Sequence, residues 1–305
     1  MTDPQALSPE TFESSLHELR PKLHRYCARL TGSVIDGEDV VQEALAKAFA
    51  AFPTSGTIAN VQSWLFRIAH NAALDFLRRR QREQALLSEE DLETIVDPSD
   101  DQSRLAVAAG MRTFMRLPVA QRSSVILMDV LGYSLQEIAS ITAVSVPAVK
   151  SALHRGRTRL RAIAHEPEEV AVPDLAPRER IRLRAYVERF NAYDFDSVRD
   201  MLADDVRLEV VDIAHMNGRQ EVGRYFTNYA RLRNWLLMPG LVEGRTAALV
   251  AQADDPRRRA VYFVLIGWSG DRVVTMRDFR HARYAIEGAD YVVLDDSVKC
   301  SNADN

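Results

Sequence analysis

The sequence predicts a multidomain protein in which two all-α helical modules precede an α+β domain. Three observations predict this fold class: helical spacing of apolar residues over most of the first half, strand-like alternation after residue 200, and two acidic linkers between these regions. The chain has 305 residues, of which 47% are hydrophobic and 27% charged, so it can form two or three hydrophobic cores.

The predicted boundaries follow the two linkers. The first linker is acidic and weakly periodic, which favours a solvated segment. The second holds three prolines and four acidic residues and cannot continue the preceding helix. A polar tail after the last domain is expected to be flexible. In chain order, the first module, first linker, second module, second linker, α+β domain and tail are residues 11–87, 88–102, 103–164, 165–177, 178–288 and 289–305.

The composition does not indicate a membrane protein or a disulfide-rich protein. No run of about eighteen apolar residues occurs, and the first residues lack a basic flank followed by an apolar core, so we expect a cytoplasmic protein without a membrane partner. The two cysteines, Cys27 and Cys300, fall in different predicted regions. We therefore expect no disulfide, no bound metal and no cofactor.

The charge is unevenly distributed along the chain. Residues 1–98 hold 10 Lys and Arg against 15 Asp and Glu, whereas residues 104–162 hold 9 against 2, a net charge of +7. Residues 178–305 hold 20 of each sign. A phosphate backbone attracts the basic second module most strongly, which makes this module the candidate for binding duplex DNA.

The second module contains a helix-turn-helix pattern. Ser134 and Glu137, three residues apart, form a capping box before a short amphipathic helix. Ser145 can cap a second helix, and Val149 and Leu153 lie on the face that would pack on the first one. The second helix then offers small residues in its first turn and a basic face beyond it, which suits insertion into the major groove. The predicted DNA-binding residues are Ser145, Pro147, Ala148, Lys150, Ser151, His154, Arg155 and Arg157.

This module resembles region 4 of the extracytoplasmic-function (ECF) sigma factors. The resemblance is carried by LP at residues 117–118, QR at 121–122, LGYS at 131–134, EIA at 137–139 and VKSALHRGR at 149–157. It implies binding to the minus-thirty-five promoter element. The sequence departs from the family at Ala152, where many members have arginine, and at Gly156, where alanine is usual and glycine weakens a helix by about 1 kcal/mol.

The first module is similar to region 2 of the same family. Residues 36–49 predict a helix whose apolar stripe, ending at Phe49, is expected in the core. The resemblance implies that its polar face docks on core RNA polymerase, on the clamp helices of the β′ subunit, and that the β subunit is a second contact. The polymerase-binding residues are then Asp39, Gln42, Glu43 and Lys47.

A second amphipathic helix at residues 63–80 resembles the regions that open the minus-ten element. Holding an unstacked base requires a pocket with polar donors, which in this family is supplied by the loop before the helix. His70 is also expected to be free for DNA, whereas Trp64 is favoured as a core anchor over a pocket wall. The predicted minus-ten residues are Thr57, Ile58, Ala59, Asn60, Arg67, Asn71, Arg78 and Arg79.

The third domain is similar at residues 178–208 to the opening of SnoaL-like domains, cone-shaped α+β folds of which some are isomerases or cyclases. Asp212, His215 and Asp278 are candidate general acids or bases, but they form no recognisable constellation. A structural role is favoured for each, and no catalytic residue is assigned. The domain is expected to take a small ligand or an intramolecular contact.

Three functions remain open. In the first, the chain is a sigma factor that directs transcription initiation at promoter DNA, and its third domain regulates it in cis. In the second, the chain is a SnoaL-like isomerase or cyclase fused to DNA-binding helical modules, and in the third it is a stand-alone repressor. The docking helix at residues 36–49 favours the first, because a simple repressor has no use for it.

Overall fold

The computed structural model describes residues 8–85, 111–164, 175–229 and 234–294. The predicted linker at residues 88–102 lies outside the described residues, as does most of the second linker. The chain divides into two compact units, unit 1 from Met1–Glu168 and unit 2 from Glu169–Asn305. Both predicted helical modules belong to unit 1.

Unit 1 is helical in its described parts. Its first module has α1 (Pro9–Thr31), α2 (Val34–Ala51), a 3-10 turn (Phe52–Thr54) and α3 (Val61–Ala85). The second module has α4 (Met111–Met115), α5 (Val119–Val125), a π-helical turn (Ile126–Val130), α6 (Leu135–Thr142) and α7 (Val146–Ala164). Among the described helices, none has both the length and the apolar composition that crossing a bilayer requires.

The turn between α1 and α2 is set by local chemistry. Gly32 ends α1 with φ at 83°, and the Ser33 hydroxyl accepts a hydrogen bond at 3.0 Å from the backbone nitrogen of Asp36, which caps α2. The two helices then cross so closely that a Cβ on Gly37 would lie 2.6 Å from Cα of Ala28. Glycine is therefore required inside α2, despite its poor helix propensity.

One hydrophobic cluster joins the two modules of unit 1. Fully buried residues of the first module, such as Tyr26 and Phe66, belong to the same cluster as Phe114 and Ile138 of the second. The rings of Phe66 and Tyr133 have their centroids 5.0 Å apart. The modules are therefore packed against each other in this structure.

Two polar contacts reinforce this packing. Arg122 is 5% exposed and donates from Nη1 to the carbonyl oxygen of Leu30 at 2.6 Å and from Nη2 to that of Leu117 at 2.9 Å. Burial lowers the pKa of Arg122 to about 10. On the other side of the contact, Nε2 of Gln62 donates to the Tyr133 hydroxyl at 2.7 Å.

In its described residues, unit 2 combines three α-helices and a 3-10 helix (Arg283–Gly288) with one sheet, so the predicted α+β class is confirmed. The helices are α8 (Pro177–Asn191), α9 (Phe195–Asp200) and α10 (Arg219–Tyr229). The strands are β1 (Leu202–Val210), β2 (Ala214–Asn217), β3 (Trp235–Val242), β4 (Arg245–Gln252), β5 (Ala260–Ser269), β6 (Arg272–Asp278) and β7 (Tyr291–Val293).

The seven strands lie in the order β2-β1-β6-β5-β4-β3-β7. Strands β1 and β6 are parallel, and the remaining neighbours are antiparallel. One face of the sheet carries the main core, with Val206, Leu208 and Val210 of β1 buried in it. On the opposite face, the segment after β6 covers one end of the sheet, where Phe279 stacks on Phe263 with ring centroids 4.2 Å apart.

Two expectations about the fold are wrong. Phe49 was expected in the core, but it is 49% exposed and contacts Phe12 edge-on at the end of α2. The tail at residues 289–305 was expected to be flexible from its start, but Tyr291–Val293 forms β7, which pairs with β3 and supplies an edge strand. The rest of the tail, residues 295–305, lies outside the described residues.

Two buried histidines make unit 1 sensitive to acid. His24 contacts the carbonyl oxygen of Val34 through Nε2 at 2.9 Å, and Nδ1 of His70 lies 2.7 Å from the Tyr26 hydroxyl. Burial lowers the pKa of His24 and of His70 to about 4, from a usual value of about 6.5. Between pH 6.5 and 4 the unfolded chain binds more protons than the folded chain, so stability falls as the pH falls.

We expect the free energy of unfolding of unit 1 to fall by about 1.5 kcal/mol per histidine between pH 6.5 and 5. Urea unfolding followed by Trp64 fluorescence, with Trp235 and Trp268 changed to Phe, measures this. His70→Gln keeps an acceptor for the Tyr26 hydroxyl and should remove about half of the pH dependence. An unchanged slope in His70→Gln, or stability that rises on acidification, would contradict the assignment.

Candidate nucleic-acid interface

The predicted helix-turn-helix is confirmed in detail. Both halves of the capping box are present: the backbone nitrogen of Glu137 donates to Ser134 Oγ at 3.3 Å, and that of Ser134 donates to Glu137 Oε2 at 2.8 Å. Ala143 ends α6 with φ at 56°, and Ser145 accepts from the backbone nitrogen of Ala148 at 3.4 Å at the start of α7. Local side-chain chemistry therefore defines both helices and the turn between them.

The outer face of α7 is accessible to a ligand. Val149 and Leu153 are buried, as their spacing predicts, and they fix the helix on the rest of the module. Seven of the eight predicted minus-thirty-five residues are exposed, namely Ser145, Pro147, Ala148, Lys150, Ser151, His154 and Arg155. A compact, partly basic surface thus extends along the first three turns of α7.

Arg157, the eighth residue, has another partner. Its Nε and Nη2 donate to the two carboxylate oxygens of Asp129 at 2.9 and 2.6 Å. The Asp129 side chain is 2% exposed and that of Arg157 is 25% exposed. Such a two-point ion pair fixes the angle between α7 and the π-helical turn that carries Asp129. The structure favours a positioning role for Arg157 over a contact with phosphate.

The glycine at position 156 has a packing reason. A Cβ at Gly156 would lie 2.8 Å from Cγ2 of Val125 and 3.2 Å from Cβ of Gln121. Helices α5 and α7 therefore cross without a side chain between them at this point. Glycine in place of the family's usual alanine leaves room for this close crossing.

The predicted minus-ten loop lies directly before α3. Thr57, Ala59 and Asn60 are exposed, and Ile58 is half-buried. Oδ1 of Asn60 accepts a hydrogen bond at 2.9 Å from the backbone nitrogen of Ser63, so it caps the first turn of α3. Asn60, one of the predicted base-binding residues, therefore serves as a helix cap in this structure.

Helix α3 places the other minus-ten candidates on its outer side. Arg67 and Asn71 are exposed, and Arg78 pairs with Asp75 at 3.0 Å. The expectation that His70 is free for DNA is wrong, because its ring is 5% exposed and bonded to Tyr26. Trp64 is half-buried and packs on the hydrophobic cluster, as expected for a core anchor.

The predicted polymerase-binding face of α2 meets the predicted DNA face of α3. Asp39 and Lys47 are exposed, and Gln42 is half-buried. Glu43 binds Lys47 at 2.7 Å and Arg79 at 2.8 Å, and these two cations lower the pKa of Glu43 against the effect of partial burial. The two predicted surfaces therefore share an ion-pair network, and changing Glu43 would affect both.

In unit 2, Asp278 is enclosed by hydroxyl donors. The backbone nitrogen of Arg280 donates to its Oδ1 at 2.7 Å, and the hydroxyls of Tyr225 and Tyr229 donate to Oδ2, that of Tyr229 at 3.1 Å. Burial raises the pKa of Asp278, because the residue is 1% exposed and its charged form would be poorly solvated. Burial also raises the pKa of both tyrosines, so their hydroxyls remain protonated donors.

The other acid-base candidates of unit 2 do not join Asp278. Asp212 and His215 are exposed, Asp212 in the turn after β1 and His215 on β2. Trp235 reaches the cluster indirectly, through an edge-on contact with Tyr262 at 5.6 Å. The three candidate acid-base residues, Asp212, His215 and Asp278, therefore do not form one site.

Sequence reasoning missed Asp129, Tyr225 and Tyr229. Asp129 is one of only two acidic residues among residues 104–162, and this isolation in a basic segment was a usable signal. The two tyrosines are four residues apart in α10, a helix that the sequence did not predict. Their common direction could not be inferred without that helix.

Two family models match the chain. Sigma-70 region 2 matches residues 16–83, and Sigma-70, region 4 matches residues 111–160. The ECF RNA polymerase sigma factor SigM of Mycobacterium tuberculosis is 36% identical over 151 residues, which cover 49% of this chain and 74% of SigM. The chain belongs to the ECF RNA polymerase sigma factor family.

A longer match involves the ECF RNA polymerase sigma factor SigG of M. tuberculosis. This relative is 28% identical over 226 residues, which cover 65% of the chain and 61% of SigG, so the chain spans about three fifths of its length. The match is longer than Met1–Glu168 and therefore extends into unit 2. A solved SnoaL-like protein of unknown function from Burkholderia thailandensis is similar over 39% of this chain and 99% of its own, with 18% identity and a TM-score of 0.28.

We expect Arg157→Gln to destabilise the second module by about 3 kcal/mol, because it leaves the buried Asp129 carboxylate without its partner. Asp129→Asn in the same chain should restore most of this loss.

Duplex binding measured at several salt concentrations separates the roles of the two arginines. Arg155→Gln should lower the slope of log binding constant against log salt concentration by about one, the equivalent of one released counterion. Arg157→Gln in the Asp129→Asn background should leave this slope unchanged. Equal reductions would assign Arg157 to phosphate binding.

Proposed function

We propose that the chain is an alternative sigma factor that binds core RNA polymerase, directs it to promoter DNA and is regulated in cis by unit 2. The observation that carries this proposal is the presence of sigma-70 regions 2 and 4 in one compact unit, each with its predicted surface largely exposed. A stand-alone repressor needs only the helix-turn-helix. The α2 face supplies the second surface, which a polymerase subunit requires.

The two promoter elements are assigned to different modules. The loop before α3, together with Arg67 and Asn71, receives the opened minus-ten strand, because it offers exposed polar groups beside a helix. The exposed face of α7, with Lys150 and Arg155, receives the minus-thirty-five duplex. The α2 face, with Asp39 and Lys47, docks on the β′ clamp helices, and the β subunit is a further partner.

The packed form of unit 1 must open for both elements to be bound together. The minus-ten and minus-thirty-five elements are about 25 base pairs apart, roughly 85 Å along B-DNA. Helix α3, the longest described helix of unit 1, has 25 residues and is about 37 Å long. The contacts between the modules, including the bond from Gln62 to Tyr133, therefore belong to a state that precedes promoter binding.

For unit 2 we propose regulation in place of catalysis. The carboxylate of Asp278 is 1% exposed, and both of its oxygens accept hydrogen bonds from the chain. It has no open side for a substrate in this structure. An isomerase or cyclase activity would need this cluster to open, and the bonds to Tyr225 and Tyr229 oppose that.

Run-off transcription with core RNA polymerase on a library of promoter fragments tests the proposal. The full chain and a chain ending at residue 168 should both start transcripts, with yields that differ several-fold if unit 2 regulates. Arg155→Glu should abolish initiation, and Lys22→Glu on the exposed side of α1 is the charge-matched control that should not. No transcript with either chain would overturn the sigma function, whereas equal yields would overturn only the regulation.

Tyr133→Phe should favour the open form of unit 1. It removes the hydroxyl bonded to Gln62 but keeps the ring packed on Phe66, so the contact should weaken by about 1 kcal/mol and opening should increase roughly fivefold. Energy transfer between dyes on the two modules measures this. Tyr26→Phe, which removes a hydroxyl bond inside the first module, is the matched control. Equal transfer efficiency in both variants would contradict the prediction.

A further inference from the structure

A groove of about 540 Å³ lies on the face of the unit 2 sheet opposite the main core. The strand register places one row of residues across it: Asn217 of β2 is opposite Arg207 of β1, which is opposite Thr275 of β6, which is opposite Gly267 of β5. In β4, Ala247 is opposite Leu265 of β5, and Arg245, two residues before Ala247, lies on the same face of the sheet. Residues opposite one another in a sheet point to the same face.

Gly267 and Thr275, in the middle of this row, line the groove. A Cβ on Gly267 would collide with Oγ1 of Thr275, so the threonine hydroxyl lies directly above the glycine and forms part of the groove floor. Arg207 of β1 and Arg245 of β4 lie on either side of them, three strand positions apart, which is roughly 14 Å between their Cα atoms at about 4.8 Å per strand. Two arginine side chains of this length can converge on one ligand placed between them.

A third arginine lies in the neighbouring row and is held in place. Nε of Arg277 is 3.0 Å from Oε2 of Glu209, and its guanidinium lies 5.2 Å from the ring centroid of Phe279. Both contacts restrict the side chain, so its orientation does not have to be fixed when a ligand binds. The groove thus holds three guanidinium groups against one carboxylate.

We propose that this groove binds a small organic anion with at least two carboxylate or phosphate groups. Guanidinium groups recognise such oxygens in pairs, and the hydroxyl of Thr275 and the amide of Asn217 add neutral donors around them. The volume suits a small molecule. Leu265, also in the wall, offers an apolar contact for the carbon skeleton between the charged groups.

The site is separate from the Asp278 cluster, which faces the core on the other side of the sheet, and it goes beyond the proposed function. Residues 178–305 hold equal numbers of acidic and basic residues, so a general positive field does not explain binding there. Attraction of an anion to this groove therefore depends on the local arrangement of its arginines. Its occupancy can be tested without polymerase or promoter DNA.

Calorimetric titration of the full chain with citrate and with inorganic pyrophosphate tests the site. We expect a dissociation constant of about 1 mM or tighter for at least one probe, and weaker binding at higher salt. Arg207→Gln combined with Arg245→Gln should weaken binding at least tenfold. Arg189→Gln combined with Arg224→Gln removes the same charge from exposed helix positions of unit 2 and should change it less than twofold.

Three results would overturn the proposal: no heat with either probe, equal loss in both double variants, or full binding after loss of Arg207 and Arg245. A synthetic peptide of residues 88–102, the chain's own acidic segment, is a further arm. Binding of this peptide without binding of citrate or pyrophosphate would make the groove an intramolecular docking site and would also overturn the small-anion assignment.

Discussion

The buried guanidinium of Arg122 is the interaction on which the arrangement of unit 1 depends. A guanidinium cannot give up its charge to become buried, so its donors must be satisfied within the protein. The carbonyl oxygens of Leu30, at the end of α1, and of Leu117, before α5, accept them. One charged side chain of the second module thereby holds the last turn of the first module. The shared hydrophobic cluster forms around this point.

The two predicted DNA-binding surfaces of unit 1 are consequently connected by contacts that, under the proposed function, promoter binding must break. The bond between Gln62 and Tyr133 lies just after the predicted minus-ten loop and just before the helix-turn-helix. When the modules separate, Phe66 and Tyr133 lose a packed neighbour, and water or a partner protein must cover them. Under the proposed function, core polymerase would offset this loss by binding the two modules at separate places.

Local patterns in the sequence were sufficient to predict the helix-turn-helix, because Ser134 and Glu137 act within one turn of helix. The Arg157 contact could not be predicted, since Asp129 is brought to it by tertiary packing. Strand β3 was missed for a different reason. It is nearly continuously apolar and contains Pro239 and Gly240, which usually indicate turns. In the folded unit a Cβ on Gly240 would lie 2.6 Å from Cδ1 of Leu249, so packing requires the glycine.

The parallel pairing of β1 with β6 also affects the order in which the chain folds. Leu208 of β1 pairs with Met276 of β6, so β1 cannot form this pairing until a segment 68 residues later in the chain has been synthesised. Such non-local pairing is slow, whereas the helical contacts of unit 1 form quickly and emerge first from the ribosome. Unit 1 therefore has a period during synthesis in which it is folded and unit 2 is not. Any control by unit 2 begins only when this period ends.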